Sequence, residues 1–312
     1  IDVQWVNSLA KGRGLEKEIV SFMQEQVIEE LLEIYPNEID EGETSLAGAL
    51  FSIYSATDEQ FIVIIDEWDC LFREAKDNQS LQDDYVNFLR GMFKGGAADA
   101  FIKLAYITGI LPIKKYGTQS ALNNFREYTM VQPFRLAEYI GFTEEEVQSL
   151  CTQYNMDFEE CKRWYDGYSF NREKSVYSPN SVINAMNNGE FGSYWTTTET
   201  YESLRFYIDI DFDDVRKKIL TMLSGEPVEI NPRTFQNDMK SMENSDDVLT
   251  LLIHLGYLAY NNSEGYAYIP NEEVRQEFIT ATMNSSREEL SKVIRNSDAL
   301  LKATLRMDGD EV

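Results

Sequence analysis

The sequence predicts an α/β protein in which a parallel sheet is followed by a mainly helical region. Two β-branched apolar runs, FIVIID at 61–66 and FIKLAYIT at 101–108, alternate with segments of helical period, as βαβ units do. After Pro133 helix start signals recur at short intervals. The 312 residues are 43% apolar, 12% aromatic and 26% charged, which supplies a core without the charge excess of a disordered chain. That length corresponds to about two domains.

The opening IDVQWV alternates like a strand, so the chain is expected to begin inside a domain, with elements upstream of Ile1. Apolar residues from Leu15 to Ile34 recur at helical spacing, and Pro36 ends the pattern. FIVIID is continuous rather than alternating, which reads as a strand buried on both faces. Leu81 to Phe93 returns to helical spacing and closes at Gly95-Gly96; FIKLAYIT then ends in Thr108-Gly109. YTMVQP at 128–133 is a weaker strand candidate stopped by Pro133.

In the second half, Thr143 to Glu146 spells a capping box with Phe142 and Val147 as its staple. Asp157 with Glu160, Ser178 with Pro179, Asp211 and Asn271 are further helix starts. Val248–Leu255 reads as a helix, GYLAY and YAYIP as a hairpin around NNSEG, and the residues after Asn271 as another helix. Helix, hairpin and helix in that order make a winged-helix-like unit. Residues 284–312 turn polar and read as a linker.

Composition excludes several chemistries. A formal net charge of −26 disfavours direct binding of nucleic-acid phosphates. Three cysteines, Cys70, Cys151 and Cys161, and one histidine, His254, cannot build the usual four-ligand zinc site. His254 lies inside LLIHLGYL and reads as a packed helix residue, so acid/base work falls to carboxylates. An odd number of spaced thiols without a signal peptide points to a reducing, cytoplasmic setting. No apolar run approaches the roughly 20 residues that span a bilayer.

The chemistry-bearing segment is FIVIIDEWD, a strand that delivers Asp66 and Glu67 at its carboxyl end. Carboxylates withdrawn from water must be paired, protonated or bound to a cation. In a nucleotide hydrolase the first acid helps hold Mg²⁺ through its waters, and the second polarises the attacking water. Asp66 would be the metal acid and Glu67 the base. Thr108, at the end of FIKLAYIT, would sense the γ-phosphate or position water. The plain alternative is that Asp-Glu merely ends a strand.

The ordered series DEWD (66–69), TGILPIKK (108–115), ALNNF (121–125), PF (133–134), GFTEEEV (141–147), WYDGYSF (164–170), VYSPNSVINAM (176–186) and YW (194–195) resembles the AAA-ATPase-like family of prokaryotic proteins. The resemblance implies a P-loop NTPase sheet with a helical extension, ATP and Mg²⁺ as cofactors, and often a fused nuclease domain of the PD-(D/E)XK kind. It puts Asp66 and Glu67 on the Walker B acids and Thr108 on the sensor position. Asn123, Asn124, Trp164, Tyr165, Asp166, Gly167 and Tyr168 match family motifs without an assigned role, and Asp166-Gly167 reads rather as a turn, with Trp164 and Tyr165 in the core. Arg126, Arg135 and Arg163 are candidate phosphate or finger arginines, or ordinary surface residues.

One family feature is missing. No G-x-x-x-x-G-K-[ST] occurs, and Lys11-Gly12-Arg13-Gly14 has neither the spacing nor the Ser/Thr. The expected organisation is a truncated P-loop core at 1–132, a helical extension at 133–235, the winged-helix-like unit at 236–283 and the linker at 284–312. These residues alone would then be a poor ATPase, with either a lane left empty beside 101–108 or a rearranged sheet. The competing readings are a degenerate ATPase serving as an interaction scaffold, and a Mg²⁺ nuclease using Asp66, Glu67 and Asp69.

Overall fold

A computed structural model describes residues 1–75, 77–111, 115–116, 119–120, 122, 124–170, 173–195, 213–235, 242 and 244–283. Asn123, Asp211 and the segment 284–312 lie outside the described residues. The chain divides into two units, Ile1–Glu127 and Tyr128–Val312.

The first unit orders its elements as α1 (Val3–Arg13), α2 (Ile19–Ile34), α3 (Leu46–Thr57), β1 (Phe61–Ile65), α4 (Cys70–Glu74), α5 (Gln79–Phe93), α6 (Ala98–Phe101) and β2 (Ile102–Ile107). The opening is therefore a helix and not a strand. Its alternation is outweighed by Asp2, an extended N-cap whose carboxylate accepts the Trp5 N–H at 2.9 Å. Only Ile1 and Asp2 join the sheet, as a short parallel lane in which Asp66 N–H donates to Ile1 O and Val3 N–H to Asp66 O. The Lys11–Gly14 stretch is the end of α1: Gly14, at φ +70°, is a left-handed C-cap returning its N–H to Ala10 and Lys11 carbonyls.

β1 and β2 pair in parallel, with Ile62 opposite Leu104 and Ile65 opposite Ile107. Phe61, Val63, Ile65, Ala105 and Ile107 turn towards a core containing Phe22, Ile53, Leu71, Tyr85, Leu89 and Phe101. Ile53, Leu71 and Leu89, which are fully buried, each contribute about 1.5–3 kcal/mol. The other face is open, contrary to the expectation of burial on both sides: Ile62, Ile64, Leu104 and Tyr106 are 52–62% exposed. A continuous apolar run cannot distinguish one covered face from two. Residues 128–133 are not a strand either; Thr129 and Gln132 exchange backbone hydrogen bonds in a tight turn. Among the described residues β2 pairs with β1 alone, so its far edge holds no strand.

The second unit is mainly helical, with helices Glu144–Tyr154, Phe158–Tyr165, Pro179–Asn188, Asp213–Leu223, Ser245–His254 and Glu272–Met283. The Thr143/Glu146 capping box forms in full, and Asp157 and Asn271 cap through their side chains. Ser178 occupies its N-cap position without a capping bond; its hydroxyl instead lies 3.0 Å from Ser181 Oγ, to which it can donate. The hairpin Ala259–Asn261/Tyr266–Tyr268 gains a third strand, Val228–Glu229. His254 packs against Phe235 with the two rings tilted by 31°, and burial pushes its imidazole pKa down to about 4. All three cysteines are buried free thiols.

WYDGYSF is the joint of this unit. Tyr165 is fully buried and its hydroxyl donates to Gly192 O at 2.9 Å, while Tyr168 donates to Gly256 O at 2.6 Å. Gly167 sits at φ +119°, and a Cβ there would lie 1.9 Å from Pro270 O. Asp166 and Gly167 form an extended link between the helix Phe158–Tyr165 and the strand Tyr168–Phe170 rather than a turn, and Asp166 accepts from Ser175 Oγ at 3.1 Å. Nearby, Glu273 is fully buried and takes the Ser181 hydroxyl and the Tyr194 and Trp195 N–H groups. Glu277, one helical turn on, accepts from Ser193.

Burial pushes the Glu277 carboxyl upward against that bond. A carboxyl raised in the folded state favours folding while protonated, and the contribution is lost as pH rises through the raised value. Glu277→Gln should therefore raise the melting temperature near pH 8 by roughly 2–4 °C, an advantage that shrinks towards pH 4. Calorimetry across that range checks it.

Candidate functional site

Parallel pairing puts the carboxyl ends of β1 and β2 side by side. Thr108 N–H donates to Ile65 O at 2.8 Å and Trp68 N–H to Thr108 O at 3.0 Å, so the two chains stay in register beyond the strands. Asp66 and Thr108 consequently face each other, and the Thr108 hydroxyl donates to Asp66 Oδ1. The same oxygen accepts the Glu67 N–H at 3.0 Å. Asp66 is exposed and Thr108 half-buried.

Glu67 departs from the strand at φ +53°, a left-handed conformation costly for a side chain with a Cβ. Its carboxylate pairs with Arg73 Nη2. Burial pushes this carboxyl above the usual range; Arg73 opposes that, and Asp69, Asp66 and Asp2 add to it. The site thus resists charging Glu67 despite the adjacent guanidinium.

Trp68 and Asp69 face inward and lock the loop that follows β2. Trp68 Nε1 donates to Leu111 O at 3.0 Å. Asp69, with a fully buried side chain, accepts from Ile110 N at 3.3 Å, Leu111 N at 3.1 Å and Arg73 Nε at 3.0 Å. Three donors, one of them cationic, offset the desolvation of that carboxylate. Gly109 is what lets the loop come so close: a Cβ there would lie 2.4 Å from Trp68 Cδ1 and 2.6 Å from Asp69 Oδ1.

The structure brings the Asp66 carboxylate and the Thr108 hydroxyl into contact, while the neighbouring Glu67 carboxylate turns to Arg73. The three-acid nuclease alternative does not assemble, because Asp69 is buried and engaged by two amides and Arg73. Among the described residues no cluster of three or more His, Cys, Asp or Glu is arranged to hold a metal ion. Asn124 donates to Phe93 O at 2.8 Å, a structural bond. Arg163 pairs with Glu160 and covers Trp164, while Arg126 and Arg135 are exposed, in the first and second unit respectively. Arg73 escaped the sequence reading; the Asp69/Arg73 spacing of four residues, placing both on one helical face, was its only signal.

Residues 4–118 match the family model described as Predicted AAA-ATPase, so this part of the chain is similar to that family. The match holds DEWD and TGIL, whereas WYDGYSF lies beyond it. No curated protein and no solved structure matches the chain. Among the described residues no helix is long and apolar enough to cross a membrane.

Gly109→Ala should cost about 1–3 kcal/mol, the usual range for overpacking, since neither indole nor buried carboxylate can retreat. Urea unfolding followed by tryptophan fluorescence measures it; an unchanged midpoint would mean that the loop is not held this closely.

Proposed function

We propose that the joined ends of β1 and β2 bind and hydrolyse a Mg²⁺-nucleotide, ATP by family. The observation that supports this is the Thr108–Asp66 hydrogen bond, which presents an exposed carboxylate and a hydroxyl together, with Glu67 next in the chain. Asp66 fits an outer-sphere ligand of Mg²⁺, being exposed and oriented by Thr108. Bound Mg²⁺ would neutralise charge developing on the transferred phosphate. Glu67 fits the general base, its affinity for a proton raised by burial. Thr108 keeps Asp66 in place and offers its oxygen towards water.

The phosphates need a cradle of backbone N–H groups, and Lys11–Gly14 closes a helix instead. Hydrolysis by this site therefore requires a phosphate loop from outside these 312 residues. A second reading, an ATPase-like fold acting as an interaction scaffold, is favoured by the exposed Ile62, Ile64, Leu104 and Tyr106 face. The winged-helix reading of 236–283 rests on its helix–hairpin–helix order. A reducing cytoplasmic setting and a fused nuclease domain belong to this proposal as well.

Glu67→Gln in the natural full-length protein should lower kcat about 10²–10⁴-fold while nucleotide affinity is nearly unchanged. Phosphate release and equilibrium binding of a fluorescent ATP analogue provide the two readings. Undiminished turnover would remove Glu67 from the chemistry, and an absence of nucleotide binding in the parent would favour the scaffold.

A further inference from the structure

Arg73 reaches two acids at once. Its Nη2 meets Glu67, and its Nε donates to Asp69 Oδ2 at 3.0 Å. Asp69 in turn holds the backbone of the loop after Thr108, through Ile110 and Leu111 N–H. The path from Glu67 to that loop runs guanidinium, buried carboxylate, amide pair. Nothing along it is a long exposed side chain free to wander: the Asp69 side chain is 0% exposed, Arg73 24% and Glu67 31%. The planar guanidinium fork is also the cationic group suited to bridging two carboxylates at fixed separation.

We infer that Arg73 is a positioning residue for Glu67, and that Asp69, by anchoring Arg73 and the 110–111 amides together, ties the placement of the Glu67 carboxylate to the loop that follows Thr108. The inference takes Glu67 to be the base and to that extent rests on the hydrolase reading. The consequence is that a ligand pressing on the Thr108 loop is felt at Glu67 without touching it. A surface ion pair would give no such link, because its partners exchange freely with water. Here the shared acceptor is buried, and removing it strands a guanidinium and two amides at once.

The test has two arms. In the first, ¹⁵N-labelled chain is followed by hydrogen exchange at the Arg73 Nε–H, identified by its loss in Arg73→Lys, and at the Leu111 amide. Both should exchange slowly in the parent, and Asp69→Asn should speed both about tenfold or more while the α5 amides stay unchanged. Arg73 Nε–H exchanging at the free-solvent rate in the parent, or only one of the two responding to Asp69→Asn, would overturn the tie. Should Asp69→Asn not fold, Arg73→Lys decides: faster Leu111 exchange supports the shared anchor, and no change refutes it.

In the second arm, Arg73→Lys in the natural full-length protein should lower kcat about tenfold with the KM for Mg²⁺-ATP within about twofold, because placement of the base is lost and substrate binding is not. Unchanged kcat would refute the positioning role. A parent without ATP turnover would sink the hydrolase reading, and with it the catalytic meaning of the contact, while the exchange arm would still decide whether Asp69 joins Arg73 to the loop.

Discussion

Everything in the first unit depends on holding the ends of two parallel strands together after the strands themselves have stopped. A two-stranded parallel pair with one open face has little intrinsic stiffness. What stiffens it is a set of bonds reaching across from DEWD to TGIL: Trp68 N–H to Thr108 O, Trp68 Nε1 to Leu111 O, and Asp69 to the amides of Ile110 and Leu111. Within one four-residue motif the outer acids, Asp66 and Glu67, keep access to solvent, and the inner pair, Trp68 and Asp69, is buried. Gly109 is small because the inner pair leaves no room for anything larger. Chemistry and architecture thus share adjacent residues, which binds the positions of the candidate acids to the packing of the core.

The second unit uses its polar groups differently. Tyr165 and Tyr168 are core residues whose hydroxyls satisfy the carbonyls of Gly192 and Gly256, and Glu273 gathers three donors from two other segments. These are buried polar contacts that fix the register between segments distant in sequence. The cost falls on the carboxylates, whose charging burial opposes at Glu273, Glu277 and Asp166 alike. A motif that looks functional because it is rich in aromatics, Asp and Gly can thus be a structural joint.

How much of this was legible beforehand varies with how local the cause is. The helices after Pro133 are readable from their caps, since Thr143, Asp157 and Asn271 each act within four residues of themselves. The strand ends and the meeting of Asp66 with Thr108 follow from two β-branched runs joined by helices. The opening misleads because one N-cap, Asp2, outweighs an alternating pattern of six residues. The open face of β1 is not legible because hydrophobicity says what a residue would cover, not what is there to cover it. Arg73 and the buried state of Asp69 depend on contacts with a loop some 40 residues away, beyond the reach of any local pattern.

The central claim is that the Asp66–Thr108 juncture is where a metal-bound triphosphate is handled. The most direct measurement is methyl NMR of the natural full-length protein titrated with Mn²⁺-ATP, whose unpaired electrons broaden nearby signals. The account predicts that the Thr108 methyl is lost early, and that excess Mg²⁺-ATP restores it. A Thr108 signal that remains sharp while Mn²⁺-ATP binds would place the nucleotide elsewhere and contradict the account.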